Sequence, residues 1–152
     1  MKYEIVELKE KIVAGFSTVT SNEDSDMGEK IGGLWQKLYS GTAQSMADNV
    51  NAKAIGLYCD YGVPNEKSYT VLAGCEVSSK ESAQKQGLDV KVIPAGKYAK
   101  FVIKGDVRLA VGQAWGEIWN TPLERTFTGD FEEYQEDSDG KTATVFIYIA
   151  VK

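Results

Sequence analysis

The sequence predicts an α+β fold: an antiparallel sheet of about eight strands with two helices on one face, made of two strand-helix-strand-strand halves related by a pseudo-twofold axis. Three observations carry this. Met27, Ile31, Leu34, Trp35, Leu38 and Tyr39 step by three or four residues along one helical stripe, and Val107, Val111, Ala114, Trp115, Ile118 and Trp119 repeat the spacing later in the chain. Asp26 and Asp106 stand at the same place ahead of each stripe. Between and around the stripes lie β-rich runs, and two helices with one apolar stripe each can cover only one face of the sheet they form.

Residues 2–20 read as extended, from Tyr3, Ile5, Val6 and Leu8 through Ile12, Val13 and Phe16 to Val19. A polar loop, Ser21 to Ser25, leads to Asp26, which with Glu29 forms a capping box for the first helix, and Gly41 ends that helix. Residues 42–53 carry little pattern and are assigned to a loop. Ala54 to Tyr61 and Ser68 to Ser78 are strands joined by the turn Gly62-Val63-Pro64-Asn65.

Residues 79–88, rich in Ser and Gln, form a solvated connector between halves 1–78 and 89–152 of one domain spanning 1–152. Asp89 to Ile93 and Lys97 to Lys104 are strands broken at Pro94-Ala95-Gly96. Asp106 opens the second helix and Thr121-Pro122 lies past its end. Asp130 to Glu136 and Thr142 to Val151 are the last strands, with Asp139-Gly140 as their turn. Gly32 and Gly112, at matching places in the two helices, suggest close approach of each helix to the sheet.

Composition narrows the chemistry. The net charge of -5, without a basic cluster, argues against direct nucleic-acid binding and favours cationic partners. No apolar run reaches the roughly 20 residues of a membrane span, and the N-terminus lacks the features of a secretory signal, so a cytoplasmic protein is expected. There is no histidine, which excludes Ser/His/Asp and Cys/His catalysis; Cys59 and Cys75 sit in apolar runs as small core residues. The acidic loops near Asp24 and Asp137 lack calcium-ligand spacing, and no phosphate-binding glycine loop occurs. No metal or cofactor is expected.

What remains is aromatic: Trp35, Tyr39, Tyr58, Tyr61, Tyr69, Tyr98, Trp115, Trp119, Tyr134 and Tyr148 fall on strands and stripes, as core rings or as pocket walls. Among the carboxylates Glu132 stands out. In Asp130-Phe131-Glu132-Glu133-Tyr134, strand alternation puts Glu132 and Tyr134 on one face and Phe131 and Glu133 on the other. Spacing alone leaves both a pocket carboxylate and a wet edge-strand carboxylate open. Glu76, in Ala73-Gly74-Cys75-Glu76-Val77, is a second candidate.

Those two segments, with Ile93-Pro94-Ala95-Gly96-Lys97-Tyr98, the Trp115 to Trp119 helix and Ile147-Tyr148-Ile149, resemble in order and over almost the whole chain the GyrI-like, AraC-type effector-binding family related to multidrug-sensing transcription activators. The resemblance implies a pocket at the pseudo-twofold that takes bulky lipophilic, often cationic aromatic compounds around a central glutamate. The family's Asp-Phe-Glu-x-Tyr glutamate falls on Glu132. Ala150 departs from the proline many members carry after the Ile-Tyr-Ile run.

The expected ligand-binding residues are then Glu132 as counter-charge, with Tyr98, Trp115, Trp119, Tyr134 and Tyr148 as walls and Trp35 and Glu76 beside them. A hydrophobic cation is the guest that relieves a desolvated carboxylate while filling apolar space. Two alternatives accompany this expectation. One is a hydrolase of strained electrophiles with Glu132 as general base, as in some relatives; the other is an inhibitor or adaptor acting on a protein partner, with a separate regulator supplying DNA binding.

Overall fold

The computed structural model describes residues 2–42, 46, 48–136 and 141–152. Eight strands form one antiparallel sheet: β1 (Glu4–Leu8), β2 (Lys11–Thr20), β3 (Asn49–Cys59), β4 (Tyr69–Val77), β5 (Asp89–Ile93), β6 (Gly96–Asp106), β7 (Asp130–Tyr134) and β8 (Thr142–Val151). Its order is β1-β6-β8-β7-β3-β4-β2-β5, which reads alike from either edge once β1, β6, β8 and β7 are set against β5, β2, β4 and β3. The leading strand of each expected half does not stay with that half. β1 pairs with β6 and β5 pairs with β2, so each half borrows its outermost strand from the other.

This exchange bends the sheet. β1 and β2 stand six places apart in the order, about 29 Å in a flat sheet at ~4.8 Å per strand, yet the step from Leu8 to Lys11 spans at most about 11 Å. The step from Ile93 to Gly96 imposes the same closure from the other edge. The sheet therefore curls about one face, whose core is Val13, Ile55, Leu57, Leu72, Ile93, Tyr98, Phe131 and Tyr148. Each fully buried Leu, Ile or Phe there contributes about 1.5–3 kcal/mol. Gly15 and Gly74 face each other where β2 crosses β4, and a Cβ on either would lie 2.0 Å from a carbonyl oxygen of the opposite strand. Only glycine permits so tight a crossing.

The outer face carries the helices. α1 (Met27–Lys37) packs on β2 and β4, and α3 (Val107–Trp119) on β6 and β8; between them in the chain, the short α2 (Lys80–Lys85) packs near β5. Both stripes behave as expected for amphipathic helices: Leu34 and Leu38 on the first and Val111, Ala114 and Ile118 on the second are buried. Gly41, at φ +111°, closes the π-helical turn Leu38–Thr42 that ends α1.

Several local expectations are corrected. Asp26 makes no side-chain cap to α1; Asp24 binds the Asp26 N–H at 2.9 Å instead and is itself held by Lys30 Nζ at 2.6 Å. That charged contact first, then the Asp26 N–H, lowers the Asp24 carboxyl to about 2. Asp106, by contrast, does cap α3 through the Leu109 N–H. The connector is not merely solvated: Ser79 caps α2, and Ala83 and Leu88 are buried. β3 begins at Asn49, so residues 49–53 of the loop assigned to 42–53 are strand, with an irregular register between Asn49 and Ala54; residues 43–45 and 47 lie outside the described residues, as does the Asp139-Gly140 turn. Gly32 and Gly112 are exposed with open space where a Cβ would stand, because both lie off the buried stripe, so neither brings its helix closer to the sheet.

Candidate functional site

The two helices leave a groove between them over the central strands β3 and β7. In that pair Gly56 is the register partner of Glu132, and Tyr58 of Asp130. A Cβ on Gly56 would come within 3.0 Å of Glu132 Oε1 and 3.1 Å of the Trp35 ring, so the missing side chain makes the room that the carboxylate occupies. Alternation holds as the sequence predicts: Glu132 and Tyr134 face the helices, while Phe131 joins the core of the curled face.

Glu132 is 4% exposed. Trp115 Nε1 donates to its Oε2 at 2.6 Å, Tyr134 OH to Oε1 at 3.0 Å and Tyr58 OH to Oε2 at 3.4 Å. No lysine or arginine among the described residues bonds to it. Burial raises the proton affinity of this carboxyl, and the three hydrogen bonds pull the other way. Burial first, with the charge of Glu132 second, also raises the hydroxyls of Tyr58 and Tyr134, which therefore stay protonated as donors.

Beside this carboxylate opens a cavity of about 560 Å³, a size suited to a drug-sized molecule. Trp115, Trp119, Met27, Ile31, Tyr58, Tyr61, Tyr69 and Phe127 form its apolar and aromatic lining; Asn22, Glu23, Lys67 and Arg125 add polar groups, with Lys67 Nζ paired to Glu23 Oε1 at 2.8 Å and Asn22 Oδ1 accepting from Tyr69 OH at 2.6 Å. Glu132 does not line the cavity itself. It stands behind Tyr58 and Trp115, whose polar ends it holds. Trp119, at 59% exposure, and Phe127, at 51%, present rings at the cavity. Phe127 has φ +56°, a left-handed backbone that costs a non-glycine residue about 1 kcal/mol or more.

Of the expected site residues, the fold brings Glu132, Trp115, Trp119 and Tyr134 together. Trp35 joins them, edge-on to Tyr134 at 5.3 Å between centroids. Tyr98 and Tyr148 are corrected. Both lie on the curled face, packed with Phe131, and Tyr98 OH is taken by the Pro94 carbonyl at 2.6 Å. Glu76 is corrected too: it lies on the face away from α1 and meets Lys11 Nζ at 3.4 Å. Period-two alternation sorts strand residues into two sets, but cannot say which set meets the helices.

The sequence reading passed over Arg125, Phe127, Lys67 and Asn22, which come from loops without periodicity. It also missed the role of Asp130, which is fully buried and accepts from Arg125 Nη2 at 2.6 Å, Tyr61 OH at 2.6 Å and the Ala150 N–H at 2.8 Å. One signal was available for Tyr58: it stands two residues after Gly56, hence on the same face.

Comparison with known proteins agrees with this architecture. The profile of the integron-associated effector binding protein family, Cass2, matches residues 4–151. A Vibrio cholerae integron cassette protein, VCH_CASS2, is 31% identical, with a TM-score of 0.76 over 99% of this chain and 95% of that one. YobU of Bacillus subtilis strain 168, named as a candidate transcriptional regulator, is 31% identical over 97% of this chain and 96% of its own length. The fold is shared at 20% identity with SAV2435, solved bound to tetraphenylphosphonium, with a TM-score of 0.81 over 100% of this chain and 94% of that one. No helix among the described residues is long and apolar enough to cross a membrane. With its profile match running from the first strand to the last, the chain belongs to the integron-associated effector binding protein family, within the GyrI-like effector-binding group.

Proposed function

We propose that this protein binds bulky lipophilic aromatic cations in the cavity between α1 and α3, with Glu132 as the counter-charge. The observation that carries the reading is a carboxylate at 4% exposure, held by three neutral donors and, among the described residues, by no cation. Such a group is costly to bury, and a hydrophobic cation in the adjoining cavity offsets the cost. At ~7 Å and an effective dielectric near ~20, the attraction is about 2 kcal/mol. The rings of Trp115 and Tyr58 stand between the two charges, and each well-placed cation-π contact adds about 0.5–2 kcal/mol. Recognition through charge and flat apolar area, rather than a fixed hydrogen-bond pattern, tolerates many ligand shapes. The cation carried by SAV2435 has this character, and it supports the reading as a relative's ligand.

The test is calorimetric titration with tetraphenylphosphonium. Glu132→Gln should bind it at least about tenfold more weakly than the parent, a loss of ~1.4 kcal/mol. A neutral analogue such as triphenylmethane should bind both proteins alike. Equal affinity of parent and variant for the cation would remove Glu132 from the site.

A further inference from the structure

The rings of the cavity wall have their polar ends engaged by the protein itself. Tyr58 OH and Trp115 Nε1 both donate to Glu132 Oε2, and Tyr61 OH donates to Asp130 Oδ2 at 2.6 Å. Neither carboxylate lines the cavity; Glu132 is almost enclosed and Asp130 wholly so. The three rings therefore turn their hydrogen-bonding ends away from the cavity and leave it their faces and C–H edges. Tyr69 OH is taken up as well, by Asn22 Oδ1 at 2.6 Å and Met27 Sδ at 3.3 Å.

The side-chain oxygens that remain on the lining stand at its rim. Asn22 and Glu23 are exposed residues of the polar loop before α1; Asn22 Oδ1 holds the Tyr69 phenol, and Glu23 Oε1 meets Lys67 Nζ at 2.8 Å. Lys67 and Arg125 are donors only. A ligand N–H that leaves water for this wall finds ring faces and aliphatic groups, and a buried donor left without a partner costs more than a made bond gains. A cation without N–H suffers no such loss. Its charge meets the ring faces and the field of Glu132 directly.

We infer that the site selects, among lipophilic cations, those that carry no N–H: quaternary ammonium and phosphonium ions, and dyes whose nitrogens are fully alkylated. Protonated amines and dyes with free amino groups form the class it binds poorly. This rests on the cation-binding reading above and narrows its ligand class.

Methylene blue and thionin share one flat phenothiazinium cation; the amino nitrogens are dimethylated in the first and bear hydrogens in the second. Octanol hydrogen-bonds to amino groups, so the ratio of the two dyes' octanol–water partition coefficients measures what the methyl groups contribute as apolar surface. The parent should prefer methylene blue by at least about tenfold beyond that ratio, the loss expected for an unmade N–H bond. Azure B, with a single N–H, should fall between the two. A preference equal to the partition ratio or below it overturns this inference alone, and that measurement needs no variant.

Trp115→Phe tests the cause. It removes the 2.6 Å donor from Glu132 Oε2 and opens that oxygen to a dye N–H, so the excess preference should shrink. An excess unchanged in folded Trp115→Phe would mean that the engaged acceptors are not its source, and overturns the inference too. Failure of both methylene blue and tetraphenylphosphonium to bind the parent overturns the cation reading and this inference with it.

Discussion

Asp130 and Glu132 stand two residues apart on one face of the same short strand, and the protein treats them oppositely. Asp130 is fully enclosed and meets a guanidinium, a phenol and a backbone N–H, so its charge is neutralised within the chain. Glu132 is almost as buried, yet meets only an indole and two phenols. The first arrangement anchors the 120–129 loop against the end of β8. The second leaves a carboxylate beside the cavity with no cation bonded to it among the described residues, and that contrast is what the proposed cation binding rests on.

The two helices teach the same lesson. Trp35 and Trp115 hold equivalent places on their stripes and both turn toward the central strands. Trp115 reaches a carboxylate because β7 supplies Glu132, whereas Trp35 finds Gly56, the register partner of that glutamate. The strand order is alike from both edges, and the site arises where the two sides differ.

The largest effect should come from breaking the anchored member of the pair. Asp130→Asn leaves the Arg125 guanidinium without its counter-charge in a site 15% exposed, and urea unfolding should show a loss of about 3 kcal/mol. Next, Trp115→Phe removes the 2.6 Å donor to Glu132 and should cost about 1.5 kcal/mol, while Trp35→Phe, which breaks no carboxylate contact, should cost less. Similar losses from the two tryptophans would erase the contrast between the sides. Gly56→Ala should cost about 1 kcal/mol and weaken cation binding, since its methyl would press on Glu132 Oε1 and on Trp35.

The smallest change in stability is expected for Glu132→Gln, and its pH dependence sharpens the comparison. Burial raises the folded-state pKa of Glu132, so as pH climbs past the ordinary carboxylate value of about 4.3 the unfolded chain releases its proton first. The ligand-free parent should therefore lose stability relative to Glu132→Gln as pH rises through that window, up to the raised folded-state value. Thermal melts from pH 4 to pH 8 would show it, and a parent that gains on the variant over that range would mean the carboxylate is not desolvated. Saturating cation at about a hundred times its dissociation constant should return ~2.7 kcal/mol to the parent.

Much of this was legible in the chain. The three-and-four spacing gave both helices with their buried residues, and alternation placed Glu132 beside Tyr134 and against Phe131. The bounds of β5 and β8 follow directly from their β-branched and aromatic runs. The face of each set was not legible, which is why Tyr98, Tyr148 and Glu76 were grouped with Glu132 although the sheet stands between them. Arg125 and Phe127 carried no periodic signal, because loop residues take their positions from the contacts that capture them.

The sequence by itself therefore determined the kinds of element, their order and the residues that share a strand face, since these rest on local periods of 3.6 and 2 residues. Only the tertiary structure decided the exchange of β1 and β5, the curl that buries Tyr98 and Tyr148, and the pairing of Gly56 with Glu132. Those depend on strand partners far apart in the chain. No local pattern specifies such partners, and it is they that set one carboxylate against an arginine and the other among an indole and two phenols.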